Sequence, residues 1–544
     1  MLIEKNFILG TEFESNTYYR GDKKEYHIYP CNTVKAEKRK YFSVHKNSDI
    51  DSMDVFAFIK DKKNITLDFC GADLIFHGRI QPFLIENSEN ITIKNCSVKY
   101  DRPFYTEFEI VEVGDGYIKV KSDKNSTYRV EDGKLIITSE FWENNNLDKT
   151  EMWFQAFDAD TGEGKGLAIA MIGREIFKNP DYPFELGQYI PSQCGELLRL
   201  DGPIHSSWTV GTILCLAHET REFSGVFMFD SNNCRIENYR LINGAGMGIC
   251  PIHTSNIYIN GLKLMYDSAS SGIIANAADA IHAVGCGGDF EIIDSTIEGM
   301  IDDALNIHSN FYLFDSGEGN TVYMKNLTWM GIHSEIFGIG DKIGIYNGRT
   351  MERTGEYIIE EFEIIDDDTM KLILNKPVGA HKEGDLIENL SMQPDVTIRN
   401  SKFGKANSHI RMQSRGKIII EDSEIGLPVW LTGDASCWFE SSPICDITFR
   451  NVDFCTDKAK ISITPEIFPT EKEPYYHKNI KVQNCRFVTD LPVEGGYADN
   501  IEFIGNVNVS GKKMKMILTN CGAVNAENCE LIRKTEVKTE LKIN

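Results

Sequence analysis

The sequence predicts an all-β chain folded as a right-handed parallel β-helix that carries two inserted antiparallel β-barrel-like modules. Three observations carry that reading. A short phrase recurs ten times: a polar turn residue, a period-2 strand rich in Ile, Val and Thr, then another Asn, Asp or Gly. Asn90-Ile-Thr-Ile-Lys-Asn and Asp446-Ile-Thr-Phe-Arg-Asn are two copies; the others start at Asn64, Asn233, Asn256, Asp289, Asp395, Lys417, Asn479 and Asn500. Where no long gap intervenes the copies follow each other at about 20–35 residues with no helical pattern between them, which is the signature of a solenoid of stacked rungs. Finally, two long gaps change to alternating strands with turns, as expected of modules extruded from single rungs.

Taken in order, residues 1–106 read as N-terminal rungs, each too small to bury its own apolar face. Residues 107–216 read as the first insert, with Gly116-Tyr-Ile-Lys-Val-Lys, Lys134-Leu-Ile-Ile-Thr and the indoles of Trp142, Trp153 and Trp208. Residues 217–311 return to rungs, 312–388 form the second insert with Asp341-Lys-Ile-Gly-Ile-Tyr and Thr369-Met-Lys-Leu-Ile-Leu, and 389–544 complete the helix. The charged last residues, RKTEVKTELKIN, read as a capping strand or a tail.

A net charge of −24, from 57 basic and 81 acidic residues, argues against nucleic acid or an anionic membrane as a partner. No apolar stretch is long enough to span a bilayer, and the N-terminus lacks the basic and apolar regions of a secretory signal, so a cytoplasmic location is expected. The 14 cysteines are accordingly expected as reduced thiols. Those following an asparagine, such as Cys96, Cys234 and Cys485, are expected to be stacked in the core. A homo-oligomer is compatible with the sequence.

The chemistry concentrates between Asn276 and His308. Ala278-Asp279-Ala280-Ile281-His282 is followed about one rung later by Asp302-Asp303-Ala304-Leu305-Asn306-Ile307-His308. Aligning Ile281 with Leu305 puts Asp279 beside Asp303 and His282 beside Asn306, with rungs about 4.8 Å apart. Asp303 shares the inward phase of Leu305 and Ile307, so it escapes the core only at a corner before the strand begins. After the second insert, Ile410 and Met412 point inward and His409, Arg411 and Gln413 outward on the same wall. Trp430, Trp438 and Glu440 follow. A lone corner Asp is ordinarily a turn former and a lone His an ordinary wall residue. Together, carboxylates, imidazoles, amides, a guanidinium and an aromatic plane on one face suit a sugar.

The chain resembles the family 110 glycoside hydrolases, inverting exo-α-galactosidases that include α-1,3-galactosidases. The resemblance rests on His77-Gly78, Asp101-Arg102-Pro103, His218-Glu219-Thr220-Arg221, Gly246-Met247-Gly248, the two acidic phrases and Gly340-Asp341. It implies a β-helix with barrel-like inserts and a site that needs no metal or other cofactor. It also implies Asp279, Asp302 and Asp303 as active-site acids, with Asp302 or Asp303 activating water. For the proton donor it makes Glu335, in the overhanging second insert, the nearest candidate and Glu440 the next, because two acids on one rung are expected to stand too close for an inverting pair. The remaining residues, His282, Asn306, His308, His409, Arg411, Gln413, Trp430, Trp438 and Glu440, are expected to bind a terminal α-linked galactose of an oligosaccharide or glycan. Two other classes stay open: a polysaccharide lyase or epimerase using Ca²⁺, and a non-catalytic glycan-binding β-helix.

Overall fold

The computed structural model describes residues 2–37, 52–123, 126–144, 152–162, 164–172, 187–217, 223–266, 272–326, 337–348, 351–366, 368–404, 409–435, 438–466 and 474–535. They build a parallel β-helix with three ladders of strands around one core, and two barrels project from it. All ten copies of the repeated phrase fall in one ladder. Its inward column runs through Ile65, Ile91, Cys234, Ile257, Phe290, Val396, Ile418, Ile447, Ile480 and Ile501, each paired in register with the next. All ten are buried in a single apolar cluster. At about 25 cal/mol per Å² of apolar surface removed from water, such a stack stabilises the solenoid by burial that no isolated rung could achieve.

The corners explain the asparagines. Asn16, Asn64, Asn90, Asn233 and Asn256 all have φ between 54° and 63°, a left-handed conformation that Asn tolerates better than most residues. Their amides form a ladder of their own: Asn64 donates to Asn16 at 2.7 Å, Asn90 to Asn64 at 2.8 Å and Asn233 to Asn90 at 2.6 Å. Side chains thus satisfy each other where the backbone turns and cannot. The described cysteines are free thiols, and Cys96, Cys234 and Cys485 are buried. They do not share one stack, because Cys234 pairs with Ile91 and Ile257 whereas Cys96 pairs with Ala72 and Tyr239.

The first barrel closes through Tyr105–Gly114, Tyr117–Ser122, Leu197–Asp201, Gly187–Cys194, Gly164–Ile172, Met152–Asp158 and Thr212–Ala217. It is not wholly antiparallel: Gly164–Ile172 and Gly187–Cys194 pair parallel. Lys134–Thr138 lies outside this barrel in a small three-stranded sheet with Tyr128–Glu131 and Glu143–Asn144. Arg102 is buried where the chain leaves the helix. It donates to the carbonyls of Pro103 and Tyr105 and to the Thr106 hydroxyl, which fixes the exit. Trp142 stacks on Phe104 and Trp208 packs on Tyr189, so both indoles are structural.

The second barrel begins inside a strand of the helix. Leu305–Glu318 pairs with the helix over its first residues, then from Phe311 with Leu386–Asn389. Thr321–Lys325, Thr369–Leu374, Arg353–Ile364 and Lys342–Tyr346 complete a six-strand antiparallel ring. This barrel lies on the outer face of the third ladder, the one that runs through Val226–Phe229, Ile249–Ile252, His282–Val284, Leu305–Glu318 and Ile410–Met412. Leu84, Phe227, Phe229, Cys250, Ile252 and Val284 share one buried cluster with Tyr312, Phe337, Ile343 and Ile345 of the barrel. The cover explains why Val226–Phe229 and Ile249–Ile252 are apolar on both faces, as strands buried on both sides are.

Candidate active site

The site occupies the third ladder just beyond this apolar cover. His282, Asn306, Arg411 and Trp430 are directly in register on four successive rungs, flanked inward by Leu305, Ile307, Ile410 and Met412. Val284, His308 and Gln413 form the neighbouring outward column, since Ile307 pairs with Met412 and the next positions follow. The expected alignment of the two acidic phrases is therefore the observed one. Asp303 sits at the corner, one residue before the bend that leads into Leu305–Glu318, and reaches the outward groups although it has inward phase. Its carboxylate lies 3.7 Å from His409 Nδ1 and 4.0 Å from the Arg411 guanidinium.

Asp279 heads a buried relay. His282 Nδ1 is 2.7 Å from Asp279 Oδ2, His282 Nε2 is 3.0 Å from His308 Nε2, and His308 Nδ1 donates to the Ser309 carbonyl at 2.8 Å. Because His308 gives its Nδ1 proton to a carbonyl, its Nε2 must accept from His282. Burial, helped by the neighbouring His282, lowers the His308 pKa despite Glu440, in agreement with a neutral ring. His282 therefore donates at Nε2, and the proton at Nδ1 is shared with Asp279. Asn276, itself fully buried, donates to the carbonyls of Ala278 at 3.0 Å and Asp279 at 2.7 Å and so fixes the phrase from behind.

Glu440 enters from the far side on Glu440–Ser441, which pairs antiparallel with Ser309 and Asn310. It is the hub of the wall. Asn306 Nδ2 donates to Oε1 and Gln413 Nε2 to Oε2, both at 3.1 Å; Arg411 Nη2 is 3.4 Å from Oε2 and His308 Nε2 3.7 Å from Oε1. Burial opposes its ionisation, but the cationic surroundings, with Arg411 their permanent charge, outweigh it and hold the carboxyl below the usual range. A carboxylate so held acts as an acceptor of hydrogen bonds. Arg411, though burial opposes its charge, is kept a firm cation by Glu440, Asp303 and Asp302, in that order.

The other expected residues distribute as follows. Asp302 is half-buried, and Oδ1 accepts the Asp303 amide at 3.1 Å. His409 lies against the Trp430 ring at 3.5 Å between centroids. Trp438 is in the segment that carries Glu440, and its amide donates to buried Asp434. Glu335 and the phrase 218–221 lie outside the described residues. Among the described residues no three His, Cys, Asp or Glu side chains are grouped as metal ligands.

Three contributors carry no motif that would have marked them. Asp434 is buried beside Arg411 and Asn276 behind Asp279. Glu107, in the first barrel, accepts the Ile273 and Ile274 amides at 3.0 and 2.9 Å, and burial pushes its pKa up to about 7. With the Tyr105 hydroxyl on the Ile274 carbonyl and Gln155 on the Ile301 carbonyl, the first barrel braces both acidic phrases from the corner side. Only their tertiary setting reveals them.

No family model matches the chain. Curated relatives do. Alpha-1,3-galactosidase B of Bacteroides thetaiotaomicron is 28% identical over 468 residues, 82% of this chain and 73% of that protein. Alpha-1,3-galactosidase A of Shewanella woodyi is 25% identical over 470 residues, 84% and 74%. Alpha-1,3-galactosidase B of Akkermansia muciniphila is 24% identical over 514 residues, 90% of this chain and 62% of that protein. Among solved structures, the tailspike gp61 of Pseudomonas phage phi297 aligns over 85% of this chain and 66% of its own at 8% identity. Its TM-score of 0.26 is too low to bear on fold or function.

Proposed function

We propose that this chain, a homologue of curated α-1,3-galactosidases, is an exo-acting glycoside hydrolase that releases terminal α-linked galactose with inversion, the linkage being α-1,3. The observation that carries the reading is the single outward wall on which His282, Asn306 and Arg411 stand in register beside His308 and Gln413, with Asp303 near Arg411, Asp279 on His282 and Asp302 next to Asp303. A terminal sugar presents several hydroxyls and one anomeric centre, and this wall offers hydrogen-bond partners for the first and carboxyls for the second.

In this mechanism Asp303, the partner of Arg411, is the carboxylate that takes a proton from water as it attacks the anomeric carbon. Asp302 is the proton donor to the departing glycosidic oxygen. Asp302 is half-buried where Asp303 is buried, so it keeps the access to solvent that a departing group needs. The Asp279–His282–His308 relay takes up charge as the oxocarbenium-like transition state forms. Trp430 supplies an aromatic plane for the apolar face of the ring.

The test is hydrolysis of p-nitrophenyl α-galactoside and an α-1,3-galactosyl disaccharide, followed by proton NMR with and without EDTA. β-Galactose appearing first is expected. α-Galactose first would overturn inversion, and no galactose from any α-galactoside would sink the function. Loss of activity with EDTA, with unsaturated product, would favour the lyase. Asp303→Asn should lose about 100- to 10,000-fold in kcat while still binding sugar. Asp302→Asn should keep much of its rate on an aryl galactoside with a good leaving group and lose it on the disaccharide. If Asp302→Asn behaves alike on both substrates and Glu335→Gln shows that contrast instead, Glu335 is the donor.

A further inference from the structure

We infer that Glu440 is a positioning residue, whose work is to orient the side-chain amides of Asn306 and Gln413 so that their carbonyl oxygens face the sugar hydroxyls. The inference rests on the galactosidase reading and assigns the hydroxyl-reading part of that site.

A carboxylate can only accept hydrogen bonds, so each amide beside it must turn its NH₂ inward. Asn306 does so at Oε1 and Gln413 at Oε2, both at 3.1 Å. The opposite end of each amide is then an acceptor. Asn306 Oδ1 and Gln413 Oε1 are buried, on residues 2% and 1% exposed, and neither has a hydrogen-bond partner in the protein. Arg411 Nε is a buried donor in the same condition, while its Nη2 faces Glu440. Buried polar atoms are nearly always satisfied in folded proteins. Two acceptors and one donor left over on adjacent rungs match neighbouring hydroxyls of a pyranose, each of which can donate one bond and accept another.

The backbone around Glu440 points the same way. Phe439 has φ of 54° and Ser442 of 113°, so a two-residue strand is bracketed by non-glycine residues in left-handed conformations. Such conformations persist where the surroundings demand them, commonly at functional sites. Pairing of Asn310 with Glu440 and of Ser309 with Ser441 holds the strand against the rung that carries Asn306 and His308. The His308 contact at 3.7 Å joins this hub to the Asp279 relay. Two alternatives compete: Glu440 as proton donor, and Glu440 as a buried structural anion.

The variants Glu440→Gln and Gln413→Met, alone and together, separate them. Glutamine at 440 presents one carbonyl and one NH₂, so one neighbouring amide has to flip. Positioning predicts that KM rises about 10- to 100-fold for the single variants with kcat changed less than about fivefold. It also predicts an unaltered pH profile. A panel of monodeoxygalactosides read with wild type and variants should show coupling at one hydroxyl: the wild type loses affinity when it is removed, and Glu440→Gln loses little more. The double variant should be no worse than the worse single. A collapse of kcat with loss of the basic limb of the pH profile and unchanged KM would overturn the inference in favour of a proton donor. Unchanged KM and kcat with a lowered unfolding midpoint would overturn it in favour of a structural anion. Absence of turnover and of galactose binding by the wild type would instead defeat the galactosidase reading itself.

Discussion

His253 offers a quantitative test of how the second barrel is held to the helix. Its imidazole lies 3.1 Å from Asp230 Oδ1, on the helix side, and 3.5 Å from Asp341 Oδ2, on the barrel side. Asp341 also accepts the Gly338 amide at 2.8 Å and Asn389 Nδ2 at 2.7 Å. Burial alone would push the imidazolium down, but the two carboxylates outweigh it and raise its pKa from 6.5 to about 9. That displacement corresponds to about 3 kcal/mol at most; the side chain is only 13% exposed, so solvent screening takes little from it. The lowering of the Asp341 pKa belongs to the same pair and is not counted again. Because the folded value lies above the unfolded one, the stabilisation is fully present below pH 6.5. It declines as pH rises and is gone once pH has passed 9. Unfolding midpoints of wild type and His253→Gln between pH 6 and 10 should therefore differ most at pH 6 and converge by pH 10. Hydrogen exchange should place the loss in Lys342–Tyr346 and Leu386–Asn389. Parallel curves across the range would refute the ion-pair account.

Two further outcomes follow from packing. Glu388 is wholly buried and bonds to Arg415 Nη2 and Ser442 Oγ, each at 2.6 Å, so Arg415→Met should cost about 3–5 kcal/mol by stranding a buried charge, measured by denaturant unfolding. A Cβ on Gly248 would stand 2.4 Å from the Ala280 carbonyl oxygen; Gly248→Ala should cost about 1–3 kcal/mol and depress kcat with little change in KM, because the displaced residue adjoins Asp279.

Most of the solenoid was legible because its determinants are local. A polar residue at each corner and alternation along each strand are written into ten short phrases, and all ten fall in one ladder. The alignment of Asp279 with Asp303 was legible for the same reason. What could not be read is long-range. Glu440 reaches Asn306 and Gln413 only because its strand folds back antiparallel on Ser309 and Asn310. Glu107 touches the loop before Asp279 across a whole barrel. The parallel pairing of Gly164–Ile172 with Gly187–Cys194 inside the first barrel is a matter of strand direction, and strand alternation carries no information about that.

The location of the site nevertheless has a cause that spans both levels. Read outward along the third ladder, one column runs Leu84, Phe227, Cys250, His282, Asn306, Arg411, Trp430, Ser462 and Glu494. Its first three members are apolar because the second barrel covers them, and its later members are polar or aromatic because that barrel does not. The change falls at His282. The strand that carries Asn306 and His308 is also the strand that departs to build the barrel, so the cover cannot shift relative to the wall without breaking that strand's own pairing. A rung whose outward side is half roofed and half open gives buried polar groups next to solvent, the setting in which hydrogen bonds and charges act most strongly on a bound sugar. The apolar run before the first acidic phrase is therefore part of the site's construction, since without its cover the relay behind His282 would lie in water.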